Sequence, residues 1–504
     1  MTTVVERKKQ FHNMVKSIKD VDPTVISSEE AIANTSPFRQ KFHVEPRSGV
    51  LNDPNGFVYF DGQYHLCYQW TPLAFHKDPK IWQHGWYHLV SKDLVHWQEI
   101  GPAIESDTKY DQYGTYSGSA LSVNDQLFII YTGNTWVDTD TDQWHRVPYQ
   151  LGAFMDHENH FAKFDHPLLM DSPKGYTGHF RDPKIWQHGS DYYAVLGAQR
   201  QDQTGTVVVI QSKDLHHWTT LGEMQPAERN FGHMWECPDY FEIDDQGVLF
   251  FSPQGIPAHD GLYENIYQTG CFVGDKLDYH NLTFNHGHFQ ELDAGFDFYA
   301  TQTMAAPDGR RILSAWFGIS EIAYPTEKYH YAGCLVLPRE LSIQDGQLVQ
   351  KPIRELATLR REQTKFDFFV SENPVLLATN RTQEIDAEID MSTSSRFEMD
   401  IRANADNYKN TKLVFDKNEQ LVSLSRANAG IPFAEKYGSE RYRKLMIKDK
   451  IRMQIFVDNS SVEIFINGGI IVFSARIFPD NDQDNLFVTS RSGKTKLTAS
   501  IWKI

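Results

Sequence analysis

Cysteine is scarce in this sequence, with Cys 4 in a chain of 504 residues. None of the cysteines belongs to a CxxC pair or lies beside a cluster of metal ligands, so neither a disulfide scaffold nor a metal site is predicted. Long apolar runs are also absent, and no stretch approaches the roughly 18 residues of a membrane span. The N-terminal segment lacks the apolar region of a signal peptide. The sequence therefore predicts a cytoplasmic protein with reduced thiols and no membrane partner.

Positive charge is in deficit as well. Lys and Arg number 49 against 66 Asp and Glu, which gives a formal net charge of −17. Sequence-independent nucleic-acid binding needs a basic face that neutralises phosphates, so no nucleic-acid partner is expected. An anionic small molecule would need a local basic patch. Aromatic residues are abundant at 13%, and a hydrophobic content of 40% excludes a disordered chain.

From Phe38 onward, short alternating or apolar segments follow one another between turn signals, which indicates an all-β fold. Residues 91–97 (SKDLVHW) recur almost unchanged as residues 212–218 (SKDLHHW). Candidate hairpin turns recur roughly 60 residues apart, at Asp61-Gly62, Asn124-Asp125, Gly189-Ser190, Asp245-Gln246 and Asp308-Gly309. Five units of similar length predict a five-bladed β-propeller, because ring closure leaves only short, protected sheet edges.

The predicted organisation has four parts. Residues 1–36 form a short helical N-terminal extension, residues 37–348 the propeller and catalytic domain, residues 349–362 a linker, and residues 363–504 a β-sandwich domain. The sandwich is predicted from period-two alternation interrupted by Asp-Asn and Asn-Gly-Gly turns. Nothing in the sandwich sequence looks catalytic.

Three acidic residues occupy similar places in the repeat. Asp53, Asp182 and Glu236 lie a few residues before the hairpin turns of units one, three and four. The first strand of a propeller blade lines the channel, so we expect the three carboxylates to converge at one matched depth. Units two and five place Tyr116-Ser117 and Tyr299 at the aligned positions.

Carboxylates converging in a channel suit glycosidic chemistry. One carboxylate attacks the anomeric carbon, while a second with a raised pKa protonates the leaving oxygen. Sugar rings also pack on aromatic side chains, and the candidates are Trp70, Trp82, Trp86, Trp235 and Trp316. The alternative is that each acid merely caps a turn, which explains one isolated Asp-Pro better than three acids in register.

Five segments resemble motifs of glycoside hydrolase family 32, the invertase and fructanase family. They are residues 51–56 (LNDPNG), 116–120 (YSGSA), 180–184 (FRDPK), 235–239 (WECPD) and 295–300 (GFDFYA). They occur in the family's order, and the resemblance covers nearly the whole chain from Phe38. It implies a five-bladed propeller followed by a β-sandwich, and a retaining double displacement that requires neither a metal nor an organic cofactor.

The resemblance also implies residue roles. Carried over by motif, Asp53 is the nucleophile, Glu236 is the general acid and then base, and Asp182 stabilises the transition state. The implied substrate-binding residues are Asn52, Gln69, Trp82, Tyr116, Ser117, Arg181, Tyr299 and Trp316.

Residues 68–72, 86–93 and 333–341 look closest to the bacterial sucrose-6-phosphate hydrolases. The expected reaction is hydrolysis of the terminal β-D-fructofuranoside bond of sucrose 6-phosphate or sucrose through a fructosyl-enzyme. Residues 73–85 depart from that pattern. The basic residues of this segment are His76, Lys77, Lys80 and His84. Either their side chains contact a phosphate, or the segment is a solvated surface loop. Short fructo-oligosaccharides, or a sugar-binding propeller without turnover, are the alternatives, and the oligomeric state is left open.

Overall fold

The computed structural model describes residues 17–77, 83–138, 144–226 and 229–504. In the N-terminal extension, a 3-10 helix spans Ile18–Asp20 and an α-helix, α1, spans Pro23–Ala33. Asp22 begins α1 because its carboxylate accepts a hydrogen bond from the backbone N–H of Thr24 at 2.9 Å. No helix in these described ranges is both long and apolar enough to cross a membrane.

Five sheets follow the extension, and each contains four antiparallel strands. The first sheet contains β1 Gly49–Phe60, β2 Gln63–Thr71, β3 Gly85–Ser91 and β4 Trp97–Pro102, and the second contains β5 Thr115–Val123, β6 Gln126–Asp138, β7 Trp144–Met155 and β8 Phe161–Lys163. The third contains β9 Tyr176–His188, β10 Asp191–Arg200, β11 Gly205–Ser212 and β12 Trp218–Glu223. The fourth contains β13 Met234–Ile243, β14 Gln246–Gln254, β15 Gly270–Gly274 and β16 Gln290–Glu291. The last segment contains β17 Tyr299–Ala305, β18 Arg311–Trp316, β19 Tyr331–Ala332, β20 Arg339–Gln344 and β21 Gln347–Pro352. Of these, β19 leaves the fifth sheet and pairs in parallel with β1.

The five sheets close into a ring through their first strands. Strand β1 contacts β5, β5 contacts β9, β9 contacts β13, β13 contacts β17, and β17 contacts β1 again. Apolar faces of neighbouring sheets pack between them, as where Phe128 and Ile130 of β6 meet Ala194 and Leu196 of β10. The described chain therefore contains the five-bladed propeller that the sequence predicts.

The turns that revealed the repeat lie where they were expected, between the first and second strands of each blade. In blade four the turn is Asp244-Asp245, one residue earlier than predicted. The repeated SKDLxHW segment is the turn before the outermost strand in blades one and three. In both copies a Ser hydroxyl accepts the backbone N–H of a Leu with positive φ, Leu94 or Leu215, so the repeat is explained by turn chemistry.

The C-terminal domain packs two six-stranded sheets face to face. Its strands are β22 Gln363–Val370, β23 Val375–Thr379, β24 Gln383–Thr393, β25 Arg396–Ala403, β26 Asn410–Asp416, β27 Leu421–Asn428, β28 Glu440–Lys444, β29 Lys450–Asp458, β30 Ser461–Ile466, β31 Ile471–Arg476, β32 Asn485–Arg491 and β33 Lys494–Lys503. One sheet has the order β22-β33-β24-β29-β30-β31 and the other β23-β32-β25-β26-β27-β28. Alternating apolar residues of both sheets, such as Ile385 and Phe415, fill the space between them.

The boundary between the two domains differs from the expectation. The sequence predicts the propeller to end at 348 and a linker to span 349–362, but β21 pairs with β20 as far as Pro352. A proline suggests a connector, yet it is tolerated at the end of an edge strand because no ladder N–H is needed there. A 3-10 helix, Arg354–Leu359, then leads into β22.

Buried charges join the two domains. Arg339 of the propeller donates to Glu463 at 2.7 Å and to Asp293 at 3.1 Å. His43, in the segment before β1, contacts Asp458 at 2.8 Å and Glu463 at 3.0 Å. Burial alone would lower the pKa of His43, but the two carboxylates outweigh it and raise the pKa to about 9. Each of these charges has an opposite charge beside it, which offsets the cost of removing it from water.

Candidate active site

The first strand of every blade carries a β-bulge. At each bulge, two residues of the first strand oppose a single residue of the second. The bulged pairs are Asn52-Asp53, Tyr116-Ser117, Asp182-Pro183, Cys237-Pro238 and Ala300-Thr301. A bulge bends its strand and re-aims its side chains, so these five irregularities gather the predicted site residues around the axis.

Three of the bulges begin with a non-glycine residue in the left-handed region. The φ angles are 64° at Asp182, 47° at Cys237 and 52° at Ala300. Such a conformation costs on the order of 1–3 kcal/mol and persists only where the surrounding structure holds it. Strained backbone of this kind is common at functional sites, and here it lies on three adjacent blades.

Relative to the bulges, the three acids do not share one register position. Glu236 directly precedes its bulge, Asp182 is the first bulged residue of its strand, and Asp53 is the second. Counting back from the turns cannot detect this offset, because a bulge inserts a residue without changing the turn.

A cavity of about 260 Å³ lies at these bulges. Its lining includes all three acids and five of the predicted binding residues, together with three residues that were not assigned to the site. The lining residues are Asn52, Asp53, Gln69, His84, Tyr113, Tyr116, Arg181, Asp182, Glu236, Tyr299 and Ser320. Tyr113 and Ser320 lie in loops outside the quoted motifs, so no sequence signal identified them.

Two predicted binding residues lie behind the cavity wall. The Ser117 hydroxyl donates to Oδ2 of Asp53 at 2.6 Å and accepts a hydrogen bond from Gln69 at 3.0 Å. Trp316 is buried and packs edge-on against Tyr299, with 6.4 Å between ring centroids. Both therefore position lining residues. Trp82, the remaining predicted binding residue, lies outside the described residues.

Glu236 is held by the blades on either side of it. Arg181 donates through Nε to Oε1 at 3.0 Å, and the Tyr299 hydroxyl donates to Oε2 at 2.6 Å. Gln254 of the neighbouring strand donates to Oε2 at 2.8 Å. Burial alone would raise the pKa of Glu236, but the Arg181 charge and these hydrogen bonds outweigh it and keep the pKa below its usual value.

The pKa values of Asp53 and Asp182 are shifted in the opposite direction, upward. Burial raises the pKa of Asp53 to about 6, against the hydrogen bond from Ser117. Burial also raises the pKa of Asp182 to about 7, with Arg181 opposing the shift and the two other acids adding to it. Three acids close to one guanidinium thus retain a proton near neutral pH, and that proton belongs to the cluster as a whole.

Cys237 lies between the two shifted acids. Its Sγ is 3.6 Å from Oδ2 of Asp53 and 3.7 Å from Oδ2 of Asp182, and its backbone N–H donates to Asp182 at 3.0 Å. Burial raises the pKa of the thiol, followed by the charge of the acids, so the sulfur stays protonated and contacts the carboxylates as a weak donor.

Two histidines beside the acids are neutral. Burial lowers the pKa of His84 to about 4, and its Nδ1 lies 2.7 Å from the Thr71 hydroxyl. Burial and the nearby Arg181 lower the pKa of His179 to about 4, and Arg181 donates to its Nδ1 at 2.9 Å. Within the described part of the chain, no cluster of three or more His, Cys, Asp or Glu side chains has a metal-binding arrangement.

Comparison with known proteins agrees with this geometry. The family model described as "Glycosyl hydrolases family 32 N-terminal domain" matches residues 43–352, and "Glycosyl hydrolases family 32 C terminal" matches residues 355–503. The chain belongs to glycosyl hydrolases family 32. The two matches divide the chain where β21 ends, so the family's two domains correspond to the propeller and the sandwich.

Relatives within family 32 cover nearly the whole chain. A sucrose-6-phosphate hydrolase of Staphylococcus xylosus is 38% identical over 479 residues, which is 95% of each chain. The solved structure of sucrose-6-phosphate hydrolase from Lactobacillus gasseri has a TM-score of 0.88 and 33% identity, covering 98% of this chain and 99% of that one. A mutant of the Bombyx mori β-fructofuranosidase in complex with sucrose has a TM-score of 0.80 and 30% identity, covering 96% and 97%.

Proposed function

We propose that this protein hydrolyses the β-D-fructofuranosyl bond of sucrose 6-phosphate and of sucrose, by a double displacement through a fructosyl-enzyme. The observation that carries the proposal is the convergence of Asp53, Asp182 and Glu236 in one cavity that the Arg181 guanidinium also lines. Relatives named sucrose-6-phosphate hydrolase, which match almost the full length, support this choice of substrate.

In the proposed reaction, Asp53 attacks the anomeric carbon of the fructosyl unit. A nucleophilic carboxylate must be ionised and must hold its orientation. With a pKa of about 6, Asp53 is mostly ionised at neutral pH, and hydrogen bonds from Ser117 and Asn52 fix its two oxygens. The second step, attack of water on the fructosyl-enzyme, returns the carboxylate.

Glu236 is the proposed proton donor to the leaving glucosyl oxygen and the base of the second step. In the free site its pKa is low, while the cluster retains a proton on the side of Asp53 and Asp182. A bound fructosyl unit places hydroxyl groups against those two acids and excludes water from Glu236. Both changes favour transfer of the shared proton to Glu236, which gives it the protonation state that a general acid needs.

Asp182 is proposed to bind fructosyl hydroxyls and to stabilise the positive charge that develops on the ring. Its carboxylate faces the cavity and is anchored at the back, because the Cys237 N–H donates to it. Asn52 and Gln69 line the cavity beside Asp53 and supply amide groups suited to the remaining hydroxyls. A phosphorylated sugar does not cross membranes freely, so this substrate fits the predicted cytoplasmic location.

The test is steady-state kinetics on the purified full-length protein. We expect release of fructose from both sugars, with kcat/KM at least tenfold higher for sucrose 6-phosphate, which corresponds to about 1.4 kcal/mol in the transition state. Glu236→Gln controls for contaminating activity. Equal values for the two sugars would reduce the proposal to a general β-fructofuranosidase. Release of fructose only from short fructo-oligosaccharides, or binding without turnover, would contradict it.

A further inference from the structure

Arg146 lies on β7, beside the active-site cavity and between blades two and three. Its guanidinium packs over Trp136 at 4.8 Å and over the ring of the cavity residue Tyr116 at 5.9 Å. Its Nη1 lies 3.5 Å from Nδ1 of His179, the same atom that accepts a hydrogen bond from Arg181. Three contacts, through His179 and Arg181, therefore connect Arg146 with Glu236, the residue proposed to protonate the leaving group.

Arg146 forms no ion pair with a carboxylate among the residues that the structure describes, and its buried Nε has no hydrogen-bond partner there. The charges of Glu236 and Asp182 act on its guanidinium only through space. Arg181 differs, because it is paired with Glu236. Two guanidinium groups thus flank one neutral imidazole, and the carboxylates of Glu236 and Asp182 pair with only one of them, Arg181. An arginine that is always charged and is half-buried without a counter-ion favours binding of an anion.

The backbone leaves room for this arrangement. Gly178 of β9 faces Arg146, and a Cβ at this position would lie 2.8 Å from the Arg146 carbonyl oxygen and 3.2 Å from its Cβ. The absence of a side chain at 178 therefore lets β9 approach β7 beside Arg146. Stacking on two aromatic rings then restricts the guanidinium to one plane, which suits two-point recognition of a phosphate.

The basic residues that the sequence singled out are less suitable. His84 lines the cavity but is neutral, and Lys77 is exposed. Lys80 lies outside the described residues. The three acids make the cavity itself repel a dianion, so a fixed positive charge at its mouth is needed to hold one.

We propose that Arg146 binds the phosphate of a phosphorylated leaving group and is the residue that selects sucrose 6-phosphate over sucrose. The inference rests on the proposed function and makes it more specific. Arg146 is not among the residues that line the cavity of the three acids, so we expect its contribution to be confined to the phosphorylated substrate.

The experiment compares wild type with Arg146→Gln and Arg146→Lys. We expect Arg146→Gln to lower kcat/KM for sucrose 6-phosphate by about 10- to 100-fold while that for sucrose stays within about threefold, because a hydrogen-bonded charge pair is lost for one substrate only. For Arg146→Lys, kcat/KM for sucrose 6-phosphate should lie between the values of wild type and Arg146→Gln, since lysine keeps the charge and loses the planar fork of the guanidinium. The matched control is Arg229→Gln, which removes one exposed positive charge that pairs with Asp202 on the surface.

Equilibrium binding makes the test independent of turnover. In the Glu236→Gln background, we expect sucrose 6-phosphate to bind more tightly than sucrose, and adding Arg146→Gln should abolish the difference. An equal loss of affinity for both sugars in Arg146→Gln, or an unchanged difference in affinity between them, would overturn the inference and leave the proposed function standing. A wild type that binds both sugars and cleaves neither would overturn the proposed function, and the binding difference would still decide the role of Arg146.

Discussion

Two buried groups of charges in this molecule are arranged in opposite ways. Between the propeller and the sandwich, Arg339, His43 and their acidic partners alternate in sign, and the pKa of Glu463 is lowered although burial alone would raise it. In the cavity, three acids lie near one paired arginine, and the pKa values of Asp53 and Asp182 are raised. Alternating charges stabilise the protein, whereas unbalanced charges store an unfavourable interaction that a substrate can relieve.

The difference distinguishes the proposed active site from the interdomain network more clearly than burial does. Both groups are almost fully buried, and both include residues of the family motifs. Only the cavity group combines unbalanced charge with bulged strands and left-handed backbone at non-glycine residues. Substitutions should therefore affect activity in one group and stability in the other.

The largest expected effect is on activity. Glu236→Gln should lower kcat by about 10³-fold, since a general acid contributes 10²- to 10⁴-fold, while the free energy of unfolding changes little. Glu242→Gln is the matched control, because Glu242 lies on the same strand at a distance from the cavity and forms an outer ion pair with Lys276. Steady-state kinetics and chemical denaturation of both variants measure the two effects. Comparable activity in the two variants would contradict the assignment of Glu236.

The second effect is on stability. Glu463→Gln removes the charge shared by Arg339 and His43, so it should lower the free energy of unfolding by about 3–5 kcal/mol and leave kcat of the folded protein unchanged. Glu388→Gln, which breaks an exposed pair with Lys450, should cost less than about 1 kcal/mol. Denaturant titrations compare the two variants, and equal losses would show that the buried network is not stabilising.

Stability should also depend on pH through Asp53. Folding raises its pKa from 3.8 to about 6, so the folded state binds the proton more tightly. The stabilisation from this carboxyl is therefore fully present below pH 3.8 and is lost as the pH rises through 6. Asp53→Asn lacks this dependence, so its stability relative to wild type should increase between pH 4 and 6 and level off above. A constant difference across that range would contradict the raised pKa.

The smallest expected effect comes from Ser117→Ala. The Ser117 hydroxyl opposes the rise in the pKa of Asp53, so its removal should raise that pKa further and shift the acid limb of the kcat/KM profile to higher pH. The loss in kcat/KM at neutral pH should be about tenfold, equivalent to about 1.4 kcal/mol for a hydrogen bond to a charged group. The matched control is Ser119→Ala, because Ser119 lies two residues further along the same strand and its hydroxyl donates to a backbone carbonyl. An unshifted acid limb would exclude this role for Ser117.

The sequence predicted the fold well because its signals are local. Turn residues and alternating apolar positions recur within a few residues of one another, so the five blades and the sandwich can be found without any tertiary information. The boundary at Pro352 was missed because a proline at the end of an edge strand looks like a linker in the sequence.

The site was only partly predictable for a physical reason. Asp53, Asp182 and Glu236 are distinctive in their motifs, but the bulges that offset them depend on pairing with the next strand. The difference between lining and supporting residues, as for Ser117 and Trp316, depends on side-chain packing. Arg146 carries no motif, and its significance appears only from its packing and from the lack of an ion pair within the described ranges of the chain.

The most direct test of the account is to trap the fructosyl-enzyme. In Glu236→Gln the base of the second step is missing, so an activated fructosyl donor whose leaving group needs no protonation should react once and remain attached. We expect mass spectrometry to find one fructosyl unit, on the peptide that contains Asp53, and none in Asp53→Asn/Glu236→Gln. A label on Asp182, or no label with inverted fructose released, would contradict the central claim that Asp53 is the nucleophile of a retaining β-fructosidase.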